Sequence, residues 1–421
     1  MWKDRDMRTA IVNGTLFDTE TMTLVGERHL VVEGDTIVEV DESPPTASVD
    51  RTIDARGRYV MPGFVDAHVH HVITTMDFAR LARLSGFERA IGAAKLAEAT
   101  VLRGFTTVRD VAGEVNGLIR AIDSGLCLGP RIVRSGRALS QTGGHGDFGV
   151  HGDIGVAEGD ICACQVHSNE LSHVADGPEA VRKAARTELR AGSNFIKIMT
   201  SGGVASPTDP FDAVQYTAEE IQAVTIETDH RHTYTTSHAY QPEAISLAIE
   251  NGVRCIEHGN LLDPPTAERM AELGVTMVPT LVTYAALRDV GPKFGFPAVS
   301  LEKNQGVFEH GQNSIEIARA AGVELGFGTD LLGEAQPWQN REFAIRAELQ
   351  PAAEVLASIY RVNVRLCGLE GKIGILAPGA AADIVVSNVD PLANLAGLAD
   401  PDSALAAVVS RGRVMKDVEP R

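Results

Sequence analysis

Two histidines, His68 and His70, close the stretch Arg58-Tyr59-Val60-Met61-Pro62-Gly63-Phe64-Val65-Asp66-Ala67-His68-Val69-His70. The mostly apolar part, from Tyr59 to Val65, is too short for a helix and predicts a buried strand with both imidazoles at its C-terminal end. On a strand, residues two apart project from one face, about 6 to 7 Å apart along the chain, so the two rings aim at one point and suit a divalent cation. Capping of the strand by hydrogen bonds is the plainer alternative. Four more residues of chemical interest are Lys197, His238, His258 and Asp330. Each also has an ordinary reading. His238 and His258 could be satisfied core or rim histidines, Lys197 could snorkel out of the apolar Ile196-Lys197-Ile198, and Asp330 in Gly328-Thr329-Asp330 could cap the next helix.

Their weight depends on the elements that must position them. From Tyr59 onward the chain alternates strand and helix. Ser85 and Glu88 form a capping box before an Ala-rich helix ending at Gly104, and Phe105 to Val108 follows as a strand. Pro178 opens a helix that stops at Gly192, before the strand Phe195 to Met199. Thr217 and Glu220 make a second capping box, with a helix to about His230 and a strand from Thr233 to Ser237. Helices from Pro242 to Gly252, from Thr266 to Gly274, and up to Gly322 precede strands Val253 to Ile256, Val275 to Leu281 and Val323 to Gly328. With Tyr59 to Val65 and Arg131 to Ser135, this rhythm over about 300 residues predicts an α/β fold, a (β/α)8 TIM barrel. A doubly wound open sheet is the alternative. In a barrel, chemistry sits at the C-terminal strand ends, where all six residues fall.

Both chain ends read differently. Thr9 to Val12, His29 to Glu33 and Thr36 to Val40, with turn signals at Asn13-Gly14 and Gly34-Asp35, predict a small antiparallel sheet. Ala382 to Ser387 and Leu405 to Val409 repeat that texture. The expected division is a β-sandwich domain built from 1–62 and 371–421 around a catalytic barrel over 63–370. Composition is that of a globular protein, 44% apolar and 22% charged, and the net charge of −18 is scattered. Nucleic acid and anionic membranes need clustered Lys and Arg and are not expected partners. Met1-Trp2-Lys3-Asp4-Arg5-Asp6 lacks a signal-peptide core and no 18-residue apolar run occurs, so a cytoplasmic location is expected. Cys127, Cys162, Cys164, Cys255 and Cys367 form no disulfide framework, and Cys162-Ala163-Cys164 fits neither a redox nor a zinc pattern.

The set of His-x-His on the first strand, lysine on the fourth, histidines on the fifth and sixth and aspartate on the eighth resembles the amidohydrolase superfamily. Tyr59-Val60-Met61-Pro62-Gly63-Phe64-Val65-Asp66-Ala67-His68 and Leu376-Ala377-Pro378-Gly379-Ala380-Ala381-Ala382-Asp383-Ile384-Val385 extend the likeness over nearly the whole chain. The resemblance implies two divalent metal ions. His68, His70 and Asp330 would bind the more buried one, His238 and His258 the more exposed, and a carboxylated Lys197 would bridge both. Such a pair can share a hydroxide, with Asp330 taking its proton. Zinc is the expected metal, although N/O ligands also admit Mn, Co or Fe.

Thr142-Gly143-Gly144-His145-Gly146-Asp147, Lys197 to Val204, and Ser237-His238-Ala239-Tyr240 resemble the branch holding Xaa-Pro dipeptidases, zinc carboxypeptidases and hydrolases of aryl amides such as ochratoxin. By that likeness His145 would polarise the scissile carbonyl and Tyr240 would hold the substrate's carboxylate. A turn residue and a rim aromatic are their alternatives. His71 reads as a residue behind the ligands, and Arg109 with Asp110 as an internal ion pair. The expected function is hydrolysis of small N-acyl amino acids or dipeptides, in a homo-oligomer. Cyclic-amide hydrolysis of the imidazolonepropionase type and a non-catalytic binding barrel are the alternatives.

Overall fold

Gly63 divides what the sequence presents as one strand. In the computed structural model, which describes residues 7–148, 170–206 and 209–417, Tyr59–Pro62 pairs with Arg8–Asp18 and Ile384–Ser387. Phe64–Val69 instead runs parallel to Phe105–Asp110 in another sheet. At the break the Gly63 amide donates to the Asp383 carbonyl at 2.9 Å. A Cβ at Gly63 would sit 2.0 Å from Thr106 Oγ1, so a side chain there would force the strands apart. The strand expected over 59–65 is therefore two. The second carries His68, with His70 just past its end.

The sheet joining the chain ends has eight strands: Arg8–Asp18, Thr23–Glu33, Thr36–Asp41, Arg51–Asp54, Tyr59–Pro62, Ile384–Ser387, Leu405–Ser410 and Arg413–Asp417. Gly34-Asp35 makes the expected two-residue turn between paired Glu33 and Thr36. Asn13-Gly14 does not turn the chain. It forms a bulge within the first strand, with Asn13 at φ +57°, because a Cβ at Gly14 would lie 2.3 Å from Val60 Cγ2 and the backbone must pass close to the next strand.

The remaining strands form two parallel sheets among the described residues. One holds Phe64–Val69, Phe105–Asp110 and Arg131–Arg134; the other holds Ser172–Val174, Ala138–Ser140, Ile196–Met199, Thr235–Ala239, Cys255–His258 and Thr276–Val278 in that spatial order. Val323 to Gly328 does not join as a full strand. It makes a single parallel bridge, Leu325 to Met277, and the Ala67 amide donates to the Phe327 carbonyl at 2.8 Å. The Asn363 side chain replaces the missing ladder: it accepts from Phe327 N at 3.0 Å and donates to Phe327 O at 2.8 Å and Val65 O at 2.6 Å.

Helices pack outside these strands as the caps foretell. Both capping boxes form, at Ser85 with Glu88 and at Thr217 with Glu220. The helix expected from Thr266 begins earlier, at Pro264, with Asp263 as its N-cap. Phe64, Phe105, Phe327 and Phe343 touch edge-on, stacked or tilted, Phe64 to Phe343 edge-on at 5.1 Å and Phe327 to Phe343 tilted at 4.9 Å. Each such pair adds about 0.5–1.5 kcal/mol beyond area burial and ties the His68 strand to the Asp330 segment. No described helix is long and apolar enough to cross a membrane. Cys162-Ala163-Cys164 lies outside the described residues.

Candidate active site

His68 Nε2 lies 3.3 Å from His70 Nε2, and Asp330 Oδ1 lies 3.3 Å from the first and 3.0 Å from the second. Asp330 caps no helix; the next helical turn begins at Gly333. Its backbone amide donates to the His68 carbonyl at 2.8 Å, and its φ of +50° turns the carboxylate toward the imidazoles. His258 is also in the left-handed region, at φ +74°. Non-glycine residues held there cost on the order of 1–3 kcal/mol each and persist where the surroundings fix them, typically at functional sites. The candidate ligand atoms of His68, His258 and Asp330 lie within 4.8 Å of one another. Burial opposes ionisation of Asp330, but the two histidines hold its carboxyl well below the usual range.

The His258 ring is 4.9 Å from that of His68 and 4.6 Å from that of His238. Thr280 Oγ1 holds His258 Nδ1 at 2.8 Å, while the Gly202 carbonyl holds His238 Nε2 at 3.0 Å. That leaves Nε2 of His258 and Nδ1 of His238 for other partners. Lys197 is buried, and burial lowers its pKa to about 8 against the opposing pull of Glu257 and Asp330. A lowered pKa leaves a larger fraction of neutral amine than an exposed lysine has. Nitrogen and oxygen donors converging on one cavity from five chain segments are a donor set that fits divalent metal.

Glu257 is the support that strand reading missed. Its carboxylate accepts from His68 Nδ1 at 2.8 Å and makes short contacts with Arg109 and the Thr236 hydroxyl. Arg109 continues to the Ala67 carbonyl at 2.6 Å and the Tyr234 hydroxyl at 3.0 Å. The Arg109–Asp110 pair expected from sequence does not form, because consecutive strand residues face opposite ways. Asp110 instead accepts from the His71 amide and contacts its Nδ1, both at 3.0 Å. Asp66 likewise joins the first and last segments, accepting from His68 N at 3.0 Å, Thr329 Oγ1 at 2.6 Å and Gln339 Nε2 at 2.8 Å.

Glu257 and Arg109 are both fully buried, so Glu257→Gln leaves a guanidinium without its counter-charge. A loss of about 3–5 kcal/mol in unfolding free energy is expected, measured by urea titration, and Arg109→Met in the same chain should recover part of it. Equal stability of Glu257→Gln and the parent would show that the pair does not hold the site together.

The six residues line one cavity together with His145, Tyr240 and Tyr284. His145 stacks on His238 with centroids 4.1 Å apart, and Tyr240 meets the same ring edge-on at 4.7 Å. Ser206 Oγ contacts His145 Nδ1 at 2.7 Å, and burial lowers the His145 pKa to about 4, so its ring is neutral at ordinary pH. Tyr284 donates its hydroxyl to that of Tyr240 at 3.2 Å, leaving the Tyr240 proton free to be given elsewhere. Ile73, Phe78, Phe148, Leu171 and Leu287 make an apolar wall. A few convergent polar groups beside an apolar wall are the lining of a small-molecule site.

The amidohydrolase family model matches residues 59–415. The chain is 42% identical to a prolidase crystallised with N-methylphosphonate-L-proline, covering 98% of this chain and all of that one, with a TM-score of 0.92. A Xaa-Pro dipeptidase crystallised with methionine in its active site is 27% identical over 97% of this chain and 99% of its own, with a TM-score of 0.82. Ochratoxinase of Aspergillus niger is 28% identical, covering 85% of this chain and 75% of the relative. The protein is a hydrolase acting on carbon–nitrogen bonds, and the chain belongs to the amidohydrolase family.

Proposed function

We propose that this protein is a binuclear metal-dependent amidohydrolase that cleaves small N-acyl amino acids or dipeptides, releasing the C-terminal amino acid, with aryl amides such as ochratoxin A within its reach. The observation that carries this reading is the meeting of His68, His70 and Asp330 at 3.0–3.3 Å in one cavity with His145 and Tyr240. His68, His70 and Asp330 would hold one divalent ion, His238 and His258 the other, and Lys197 as its carbamate would serve both, zinc being the expected metal. When bound, the ions supply Lewis-acid activation of a water and of the scissile carbonyl. Asp330 takes the proton of the attacking water and delivers it to the departing amine nitrogen. Neutral His145 donates a hydrogen bond to the carbonyl oxygen as negative charge gathers there.

The same reading joins the two parallel sheets into a (β/α)8 barrel over 63–370, with the sheet from 1–62 and 371–421 as a small sandwich domain. Methionine in the active site of one relative and N-methylphosphonate-L-proline in complex with another support an amino-acid-like leaving group. The apolar wall suits the acyl side, and a net charge of −18 disfavours long acidic peptides. Screening zinc-loaded protein against dipeptides and N-acyl amino acids for released amino acid tests the reaction. Absence of release across that library, with metal bound, would overturn it.

Tyr240 tests the carboxylate handle. With its oxygen accepting from Tyr284, its own proton is expected to meet the substrate's α-carboxylate. The acid form of an N-acyl amino acid should be cleaved faster than its C-terminal amide, and Tyr240→Phe should close most of that gap, about tenfold or more in kcat/KM. Equal rates for acid and amide in the parent would remove the handle and favour a cyclic amide as substrate.

A further inference from the structure

Lys303 stands outside the cavity, half-buried on the helix Ala298–Ala321, yet its ammonium reaches into the segment beneath His145. Its Nζ donates to the carbonyls of Gly203 at 3.2 Å, Ser206 at 2.8 Å and Asp209 at 2.6 Å. An ammonium has three hydrogens, and these three acceptors use them all, so none is left for substrate. The residues so tied are the ones that seat His145. Ser206 Oγ contacts its Nδ1, and a Cβ on Gly203 would lie 2.0 Å from its Cε1, so the Gly203 backbone is the floor under the ring. Asp209 Oδ2 accepts from Gly203 N at 3.1 Å and Gln215 Nε2 at 3.2 Å, and Gln215 Oε1 in turn accepts from the His145 amide at 2.9 Å. The Gly202 carbonyl next door holds His238.

We infer that Lys303 is a positioning residue for His145. It fixes, from a remote helix, the backbone on which that imidazole rests and the hydroxyl that holds its Nδ1. A methionine at 303 would keep the length of the chain and leave three carbonyls without their donor. The seat would loosen, and misplacement of a catalytic group by about 1 Å costs up to 10²-fold in rate. The inference rests on the role proposed for His145 in the reaction.

The test is a double-mutant cycle on the metal-loaded full chain. Lys303→Met is expected to lower kcat about tenfold with metal content and KM little changed, and Lys303→Arg, which still offers donors, to restore part of the loss. In a His145→Ala background, Lys303→Met should add no further loss. Independent, additive losses, or an unchanged kcat in Lys303→Met, would overturn the inference. A readout free of turnover accompanies the cycle: the His145 ring resonance in histidine-labelled protein, assigned by its disappearance in His145→Ala, should shift or broaden in Lys303→Met. An unmoved resonance overturns the inference too. Should His145→Ala alone leave kcat intact, the proposed role of His145 fails, and the resonance decides the positioning by Lys303. If Lys303→Met does not fold, Lys303→Arg and Lys303→Gln carry the same comparison.

Discussion

Replacing Asp330 with asparagine is expected to lower kcat by about three orders of magnitude while the chain still folds and binds substrate. Asn keeps one oxygen near His68 and His70, which the carboxylate approaches at 3.3 and 3.0 Å, so the local packing survives. What disappears is the negative charge and the base. A positioned general base contributes typically 10²–10⁴-fold, and here the same group is proposed to serve in both proton transfers, from water and to the amine. The left-handed backbone at 330 is no obstacle, because Asn tolerates that region as well as Asp. Single-turnover kinetics together with a binding isotherm separate the two effects. Turnover within a few-fold of the parent would take Asp330 out of the proton path.

Lys197→Ala should be nearly as damaging, for another reason. The lysine is buried among Glu257, Asp330 and the histidines, and removing it leaves a gap where the proposed carbamate would bring negative charge to both ions. The parent is expected to hold about two divalent ions per chain by elemental analysis, and the variant to lose at least one of them with its activity. Short carboxylic acids, small enough for the vacated space, should restore a measurable part of both. Full metal content and activity in Lys197→Ala would refute the bridging role.

The strand-then-helix rhythm was readable because buried strands leave short apolar runs between capped helices, and the residues of interest fall at the ends of those runs. What alternation could not convey was side-chain direction. In Cys255-Ile256-Glu257-His258 a regular strand sends Glu257 and His258 to opposite faces, yet both serve the same cluster. The positive φ at His258 turns its ring back, and no residue type announces that turn, since histidine only seldom adopts it. The same holds for Asp330. Gly63 was visible as a glycine but not as a boundary, because only the approach of Thr106 from a distant strand makes a Cβ impossible there. Likewise Asn363 gave no sign that its side chain would stand in for a strand neighbour. These are tertiary facts, set by partners far away in sequence.

The pairing at Gly63 bears on the order in which the molecule can be made. His68 and His70 are among the first residues of the site to leave the ribosome. Their strand, however, follows Tyr59–Pro62, which pairs with Ile384–Ser387, and the Gly63 amide rests on Asp383. Asp383 in turn accepts from Arg131 Nη1 at 2.6 Å, so a side chain of a second early strand waits for the same late residue. Such closure across most of the chain length is slow, since the loop entropy must be overcome before the contacts are gained. The strand bearing the earliest-synthesised ligands can pair with Phe105–Asp110 early, but the Gly63 end that joins it to the other sheet lacks its anchorage until the last strands emerge, and a nascent chain stalled before residue 383 would keep that junction open.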